Sequence, residues 1–393
     1  MATFPLFDLP PELVLCVLEA SEARDLAVFI RTSRDAWNIG HPVLYSGPIE
    51  WKQKAFIWAA EHDRPQLLEY IIEDILPVLK ENDTFRKSAF LAAARGGCCS
   101  LVDLLIENGV EPSDGLMGAI KADKPEVVKI LLPHGIPDGS EGRRVHLAKE
   151  TFLAFASAEG SAEVIKFLVT IGANVDGTER HNPLMHAVEA GHHKAAEVLL
   201  TSGADIKLAQ GSLGRTALRA AAGNGDNQMV RLLLTHGANV NQKDLLDMTP
   251  LCYATQHLET CKTLLDAGAS VEADRNMPLV EATIRDYRDV VDLLLARRPK
   301  DIERTDLLGR TPLAVAAHHN RPEILQKLIQ LGADVNKADR TGQTPLSHAV
   351  ENESTECIAI LRNAGCRESD SDGTIPAEII NLFNSLAAGL RRS

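Results

Sequence analysis

GRTPLAVAAHHNRPEILQKLIQLGADVNKAD, residues 309–339, decides how the rest of this chain is read. Thr311-Pro312 starts a helix: the threonine hydroxyl can accept from free amides, and proline fits a first-turn position that needs no N–H donor. Ala316-Ala317 keep that helix thin enough for a neighbour to approach closely. Ile324, Leu325, Leu328 and Ile329 fall at helical spacing and give a second helix one apolar face. Gly332 supplies the left-handed residue that ends it. Two helices this short cannot bury those faces alone, so the unit must stack on copies of itself.

The copies are present. The 20-residue interval from Pro312 to Gly332 recurs from Pro345 to Gly365, Ala217 to Gly237, Pro183 to Gly203 and Phe152 to Gly172. With weaker residues it holds from Ala89 to Gly109 and from Gly115 to Gly135. Successive units start on average 32 residues apart between Ala89 and Pro345. Unrelated helices would not hold one interval so often.

At GRTPL (309), GQTPL (342), GRTAL (214), LLLTHGANVN (232) and LIQLGADVNKAD (328), the chain resembles the ankyrin repeat family. That family's pattern is roughly G-x-T-P-L-H-x-A-A, then G-H, V-x-L-L-L and G-A-D-V-N. The resemblance covers about residues 51–390. It implies an all-α chain, an α-solenoid of about ten repeats with short β-turn fingers, used to bind other proteins and carrying no chemistry of its own.

The array is expected over residues 51–370, with three irregular stretches. Residues 73–87 read as a connection holding Pro77. Residues 136–149 read as a longer connection with Arg143-Arg144, a surface insertion or a binding loop. Over 255–300 the turn near Gln256–Glu259 is shortened, and Arg297-Arg298-Pro299 replaces the Gly-Ala stop, so altered stacking is expected. Residues 371–393 read as a capping half repeat and tail, with Ile379, Ile380, Phe383 and Leu386 covering the last core.

Residues 1–45 do not fit the repeat and read as three short helices, over 10–20, 24–32 and 33–39. Leu9-Pro10-Pro11-Glu12-Leu13, Asp25-Leu26 and Arg34-Asp35-Ala36-Trp37 resemble an F-box. The resemblance implies a helical plug docking on the Skp-type adaptor of an SCF (Skp–cullin–F-box) ubiquitin ligase, with Leu9, Pro10, Leu13, Val17 and Leu26 in contact. The alternative is an amphipathic cap closing the first repeat, since stacked arrays need covered ends.

Hydrophobic content of 45% with only 4% aromatics suits helix-pair stacking by small and aliphatic residues. A net charge of −13 disfavours nucleic acid or an anionic membrane as partner. No run of about 18 apolar residues exists to span a bilayer, and MATFPLFDLPPEL lacks the features of a secretory signal. Seven scattered cysteines argue against a disulfide framework and for a reducing compartment, cytosol or nucleus.

The paired histidines His192-His193 and His318-His319 come without C-x-x-C or H-x-x-x-H, so neither a metal nor any other cofactor is expected. No GxSxG, phosphate loop or kinase set occurs, and no Asp-His-His-Cys segment of the acyltransferases that carry such repeats. The expectation is a monomeric, non-enzymatic adaptor. Phe155, His186, Tyr253 and His348 share one position on the exposed side of the first helix and read as a recognition stripe. His257, Arg285, His318 and His319 are further target-binding candidates. At the finger tips, Lys243, Asp244, Arg275, Asp306, Leu307, Lys337 and Arg340 are exposed by the pattern and offer contacts; the alternative is inert tips, since family-wide residues such as Asp244, Asp306 and Asp339 serve the fold.

Overall fold

In the computed structural model, the described residues are 49–134, 136–137, 144–145, 149–178, 181–211, 213–271 and 278–367. The F-box-like segment and the capping tail lie outside them. The chain divides into two compact units, one ending at Ala204 and the other beginning at Asp205.

The first unit is a series of helix pairs: α1 (Ile49–Glu61) with α2 (Pro65–Glu81), α3 (Asp83–Gly96) with α4 (Cys99–Glu107), α5 (Ser113–Lys121) with α6 (Pro125–Leu131), α7 (Lys149–Glu159) with α8 (Ala162–Thr170), and α9 (Pro183–Glu189) with α10 (His193–Thr201). First helices pack on first helices in the order α1, α3, α5, α7, α9, and second helices stack from α4 through α6 and α8 to α10. Between α6 and α7, β1 (Ile136–Pro137) and β2 (Arg144–Val145) pair antiparallel at the base of the long connection.

The second unit repeats the scheme: α11 (Ala217–Asn224) with α12 (Asn227–Thr235), α13 (Pro250–Tyr253) with α14 (Leu258–Asp266), α15 (Pro278–Ile284) with α16 (Arg288–Arg297), α17 (Pro312–His318) with α18 (Pro322–Gln330), and α19 (Pro345–Glu351) with α20 (Thr355–Asn363). Here too the first helices pack in order from α11 to α19; among the second helices α12 packs on α14, α14 on α16 and α18 on α20, while the ion pairs Arg288–Glu323 and Asp292–Lys327 join α16 to α18.

Local chemistry starts and stops these helices as the repeat pattern requires. Thr311 Oγ1 accepts from the Ala314 amide at 3.2 Å, Asn182 Oδ1 from Met185 at 3.0 Å, and Thr344 forms a reciprocal capping box with Ser347. At Gly332, with φ of 92°, the chain turns left-handed and the Ala333 amide reaches back to the Leu328 carbonyl at 3.0 Å, closing the helix end. The same closure ends α4, α8, α10, α12, α14 and α20. The helix α16 lacks the glycine; it stops at Arg298, and a 3-10 turn, Pro299–Glu303, replaces the usual loop.

Two stretches depart from expectation or from the common pattern. Residues 73–87 are not an irregular connection: α2 runs for 17 residues through Pro77 to Glu81, Asn82 caps α3, and α3 begins at Asp83. Ile71, Ile75 and Leu79 form one fully buried face, and burial of that face holds the helix together across the lost amide of an exposed proline. In the 250–266 pair, α13 is only four residues long, as an 18-residue interval from Pro250 to Gly268 demands.

Neighbouring pairs are also joined by polar side chains at the turn between helices. His192 Nε2 donates to the Ala158 carbonyl at 2.9 Å and His257 Nε2 to Gly223 at 3.2 Å. Arg321 does the same with two nitrogens on the Ile284 carbonyl, at 3.1 and 2.8 Å. Each caps the carbonyl end of the preceding first helix. First helices approach so closely that a Cβ on Gly96 would lie 1.8 Å from the Ala60 carbonyl oxygen. Glycine to alanine within a helix ordinarily stabilises by about 1 kcal/mol. At Gly96 the opposite sign is expected: Gly96→Ala costs about 1–3 kcal/mol in urea unfolding because α1 and α3 must separate.

Candidate protein-binding surface

The segments joining one helix pair to the next fold into short fingers, and in the second unit three aspartates hold them. Asp244 Oδ1 accepts from the amides of Leu246 and Met248 at 2.8 and 3.0 Å. Asp306 Oδ1 accepts from Leu308 and Arg310, both at 2.9 Å. Asp339 Oδ1 accepts from Thr341 and Gln343 at 2.8 and 3.1 Å. One carboxylate thus closes each turn through the amides two and four residues on, the aspartate turn chemistry.

The second oxygen of each aspartate ties the finger to the helical layer. Asp244 Oδ2 accepts from the Tyr253 hydroxyl at 2.6 Å and lies 3.1 Å from Arg219 Nε, whose guanidinium stacks 4.0 Å over the Tyr253 ring. Asp339 Oδ2 accepts from His348 Nε2 at 2.9 Å, and Asp306 Oδ2 from Arg310 Nε at 2.9 Å. These carboxylates are buried, Asp244 with only 1% of its side chain exposed and Asp339 with 3%. Burial pushes the Asp339 carboxyl up, but donors from Thr341, His348 and Gln343 outweigh it and hold the group below its ordinary value. Burial and the bond to Asp244 raise the Tyr253 phenol, against the opposing pull of Arg219.

This arrangement corrects the recognition stripe. His348 is 4% exposed and anchors a finger, so it is structural. Tyr253 is half-buried with its hydroxyl spent on Asp244. His257 is half-buried and its ring nitrogen serves the joint with the preceding pair. Phe155 on α7 and His186 on α9 remain half-exposed, and burial lowers the His186 imidazole. Arg285 is exposed and pairs with Glu281 at 3.0 Å.

His318 and His319, at the end of α17, meet edge to face at 4.8 Å between ring centres, and His318 meets His348 at 5.6 Å. The Asn352 amide donates to His318 Nδ1 at 2.8 Å, which leaves that nitrogen unprotonated. Burial lowers both imidazoles, and Arg310 beside them adds to the effect; Glu351 opposes it at His318 and Glu281 at His319. Among the described residues, no three His, Cys, Asp or Glu side chains are placed to hold a metal ion. No described helix is long and apolar enough to cross a membrane.

Sequence reasoning named Leu307 but missed its company. Leu245 and Leu246 are 75% and 52% exposed, Leu307 and Leu308 57% and 55%. The available signal was Asp-Leu-Leu, present at both 244–246 and 306–308, where the turn needs only backbone amides from the two leucines.

The family model for ankyrin repeats (3 copies) matches residues 116–210, 207–275 and 279–372. The chain belongs to the ankyrin repeat family. An ankyrin repeat and KH domain-containing protein of Caenorhabditis briggsae is 31% identical over 306 residues, 71% of this chain and 12% of that protein. Human inversin is 36% identical over 146 residues, 36% of this chain and 14% of its own length. The chain therefore spans only about an eighth of these relatives. The human ASB11 ankyrin repeat domain aligns with a TM-score of 0.45 and 28% identity, over 49% of this chain and 90% of that one. Ankyrin repeats are a protein-interaction fold, and the aspartate-closed turns are the fingers of this one.

Two outcomes follow from the ankyrin finger chemistry. Asp244→Ala should destabilise by about 3 kcal/mol in urea unfolding, since it strands the nearly buried Arg219. Tyr253→Phe, which removes one hydrogen bond, should cost about 1 kcal/mol. The depressed His318 and His319 imidazoles bind protons less readily than in the unfolded chain, so stability should fall as pH drops below their ordinary value of 6.5. Denaturant midpoints measured across that range should show a flatter slope for His318→Gln/His319→Gln than for the natural chain.

Proposed function

We propose that this chain is a non-enzymatic protein-binding adaptor, acting as a monomer in the cytosol or nucleus. The fingers and the half-exposed side of the first helices form the gripping surface. The observation that carries this reading is the division of labour in the fingers. Buried aspartates fix their backbones, which frees the tip side chains Leu245, Leu246, Leu307 and Leu308 from any need of the turn. A net charge of −13 favours a protein target over nucleic acid or an anionic membrane.

The finer reading is substrate recruitment to an SCF-type ubiquitin ligase, with the array holding the target. Its support is the Leu9–Trp37 sequence match, in which Leu9, Pro10, Leu13, Val17 and Leu26 would meet the Skp-type adaptor. Affinity purification of the full chain, of residues 46–393 and of Leu9→Ala/Pro10→Ala from native extract tests it. The adaptor should accompany only the full chain. If no Skp-type adaptor is recovered while the truncation merely lowers the melting temperature, the segment is a cap, and the protein is a scaffold or inhibitor without a ubiquitin link.

A further inference from the structure

The exposed leucines form a surface that the fold does not require. In the finger closed by Asp339, the two residues after the aspartate are Arg340 and Thr341, and the same pair of amide bonds forms without them being apolar. Leucine at both positions of two fingers therefore adds nothing to turn formation. Single exposed apolar residues are common on protein surfaces, but clustered ones mark contact sites.

The fingers are also connected. The Leu245 amide donates to the Leu213 carbonyl at 3.1 Å, and the Arg340 amide donates to Leu308 at 3.1 Å. The second bond lays the Arg340 stem over Gly309, beside the Leu307-Leu308 tip, where a glycine Cβ would lie 2.6 Å from Arg340 Cγ. Lys243 stands two residues before Leu245, exposed, with Asp247 at 2.9 Å. The three finger aspartates are withdrawn into the structure, with side chains 1%, 10% and 3% exposed at Asp244, Asp306 and Asp339. The tips therefore present leucine beside the exposed Arg340 and the Lys243–Asp247 ion pair, on a chain whose overall charge is −13.

We propose that the Leu245-Leu246 and Leu307-Leu308 tips, with Lys243 and Arg340, dock an extended acidic segment of a partner protein bearing two leucine-like anchors. Leucine tips need apolar side chains to cover them, and the cations beside them select carboxylates. The two fingers are two repeats apart. With helices about 8–10 Å apart, that is roughly 20 Å. An extended strand covers that distance in about six residues. The proposal rests on the protein-binding reading above and specifies the partner's chemistry.

The test is selection of displayed random peptides on the full chain. Enriched peptides should carry net negative charge and two large apolar residues about six apart. Binding of a selected peptide should fall about tenfold or more in Leu245→Ser/Leu246→Ser/Leu307→Ser/Leu308→Ser. Lys243→Glu/Arg340→Glu should weaken it and reduce its salt dependence. Circular dichroism melting controls for folding; if the quadruple variant unfolds, each leucine pair is replaced separately. Neutral or basic winners, equal binding to the leucine variants, or no enriched peptide each overturn the proposal. If proteins captured by the intact chain bind the leucine variants undiminished, only this docking site falls. If the intact chain captures none, the protein-binding reading itself fails.

Discussion

Within each unit, the described helix pairs have more apolar surface than they can hide by themselves, and contact with the next pair is what removes it from water. Leu313, Leu325 and Leu328 of one pair reach zero exposure only because α17 and α18 lie between α15–α16 and α19–α20. The constraint explains the alanines as well. Ala59, Ala93, Ala187, Ala221 and Ala316 are fully buried on first helices, where a larger side chain would hold neighbouring pairs apart. Stability is thus distributed through nearest-neighbour contacts rather than gathered in a single centre.

Stacking brings polar groups together that are far apart in sequence, and the fold uses them at two kinds of joint. At the turn between helices, a histidine or arginine caps a carbonyl of the preceding pair, more than thirty residues earlier in the chain. At the finger, an aspartate closes the turn with one oxygen and anchors it with the other. The anchoring partner changes from Tyr253 to Arg310 to His348 while the turn itself stays the same. A buried carboxylate needs full compensation, and the turn amides supply most of it, so any nearby donor can complete the set.

That freedom of partner sets Tyr253 and His348 apart from the other residues of the candidate surface. Tyr253 and His348 occupy the same register as Phe155 and His186, and helical spacing places all four on one side of the first helix. Nothing in that spacing tells which side chain meets a buried aspartate nine residues earlier. Residues 73–87 posed a different problem: Pro77 and a missing glycine suggest a break, yet the apolar row Ile71, Ile75, Leu79 extends the helix across it. The repeat interval, the threonine and asparagine caps and the glycine stops were all legible, because each is local chemistry written in adjacent residues.

The sequence by itself determined that this protein is a stack of paired helices, since a repeated 20-residue interval of capped, amphipathic segments admits no other way of burying its apolar faces. For Asp244 and Asp306 it left open an exposed tip or a part in the fold, and their burial against Arg219 and Arg310 decides for the fold. Only the tertiary structure decided which side chains at equivalent positions are consumed as anchors and which stay open to solvent. That choice depends on distances between residues of different fingers and helices, and periodicity along one chain carries no information about them.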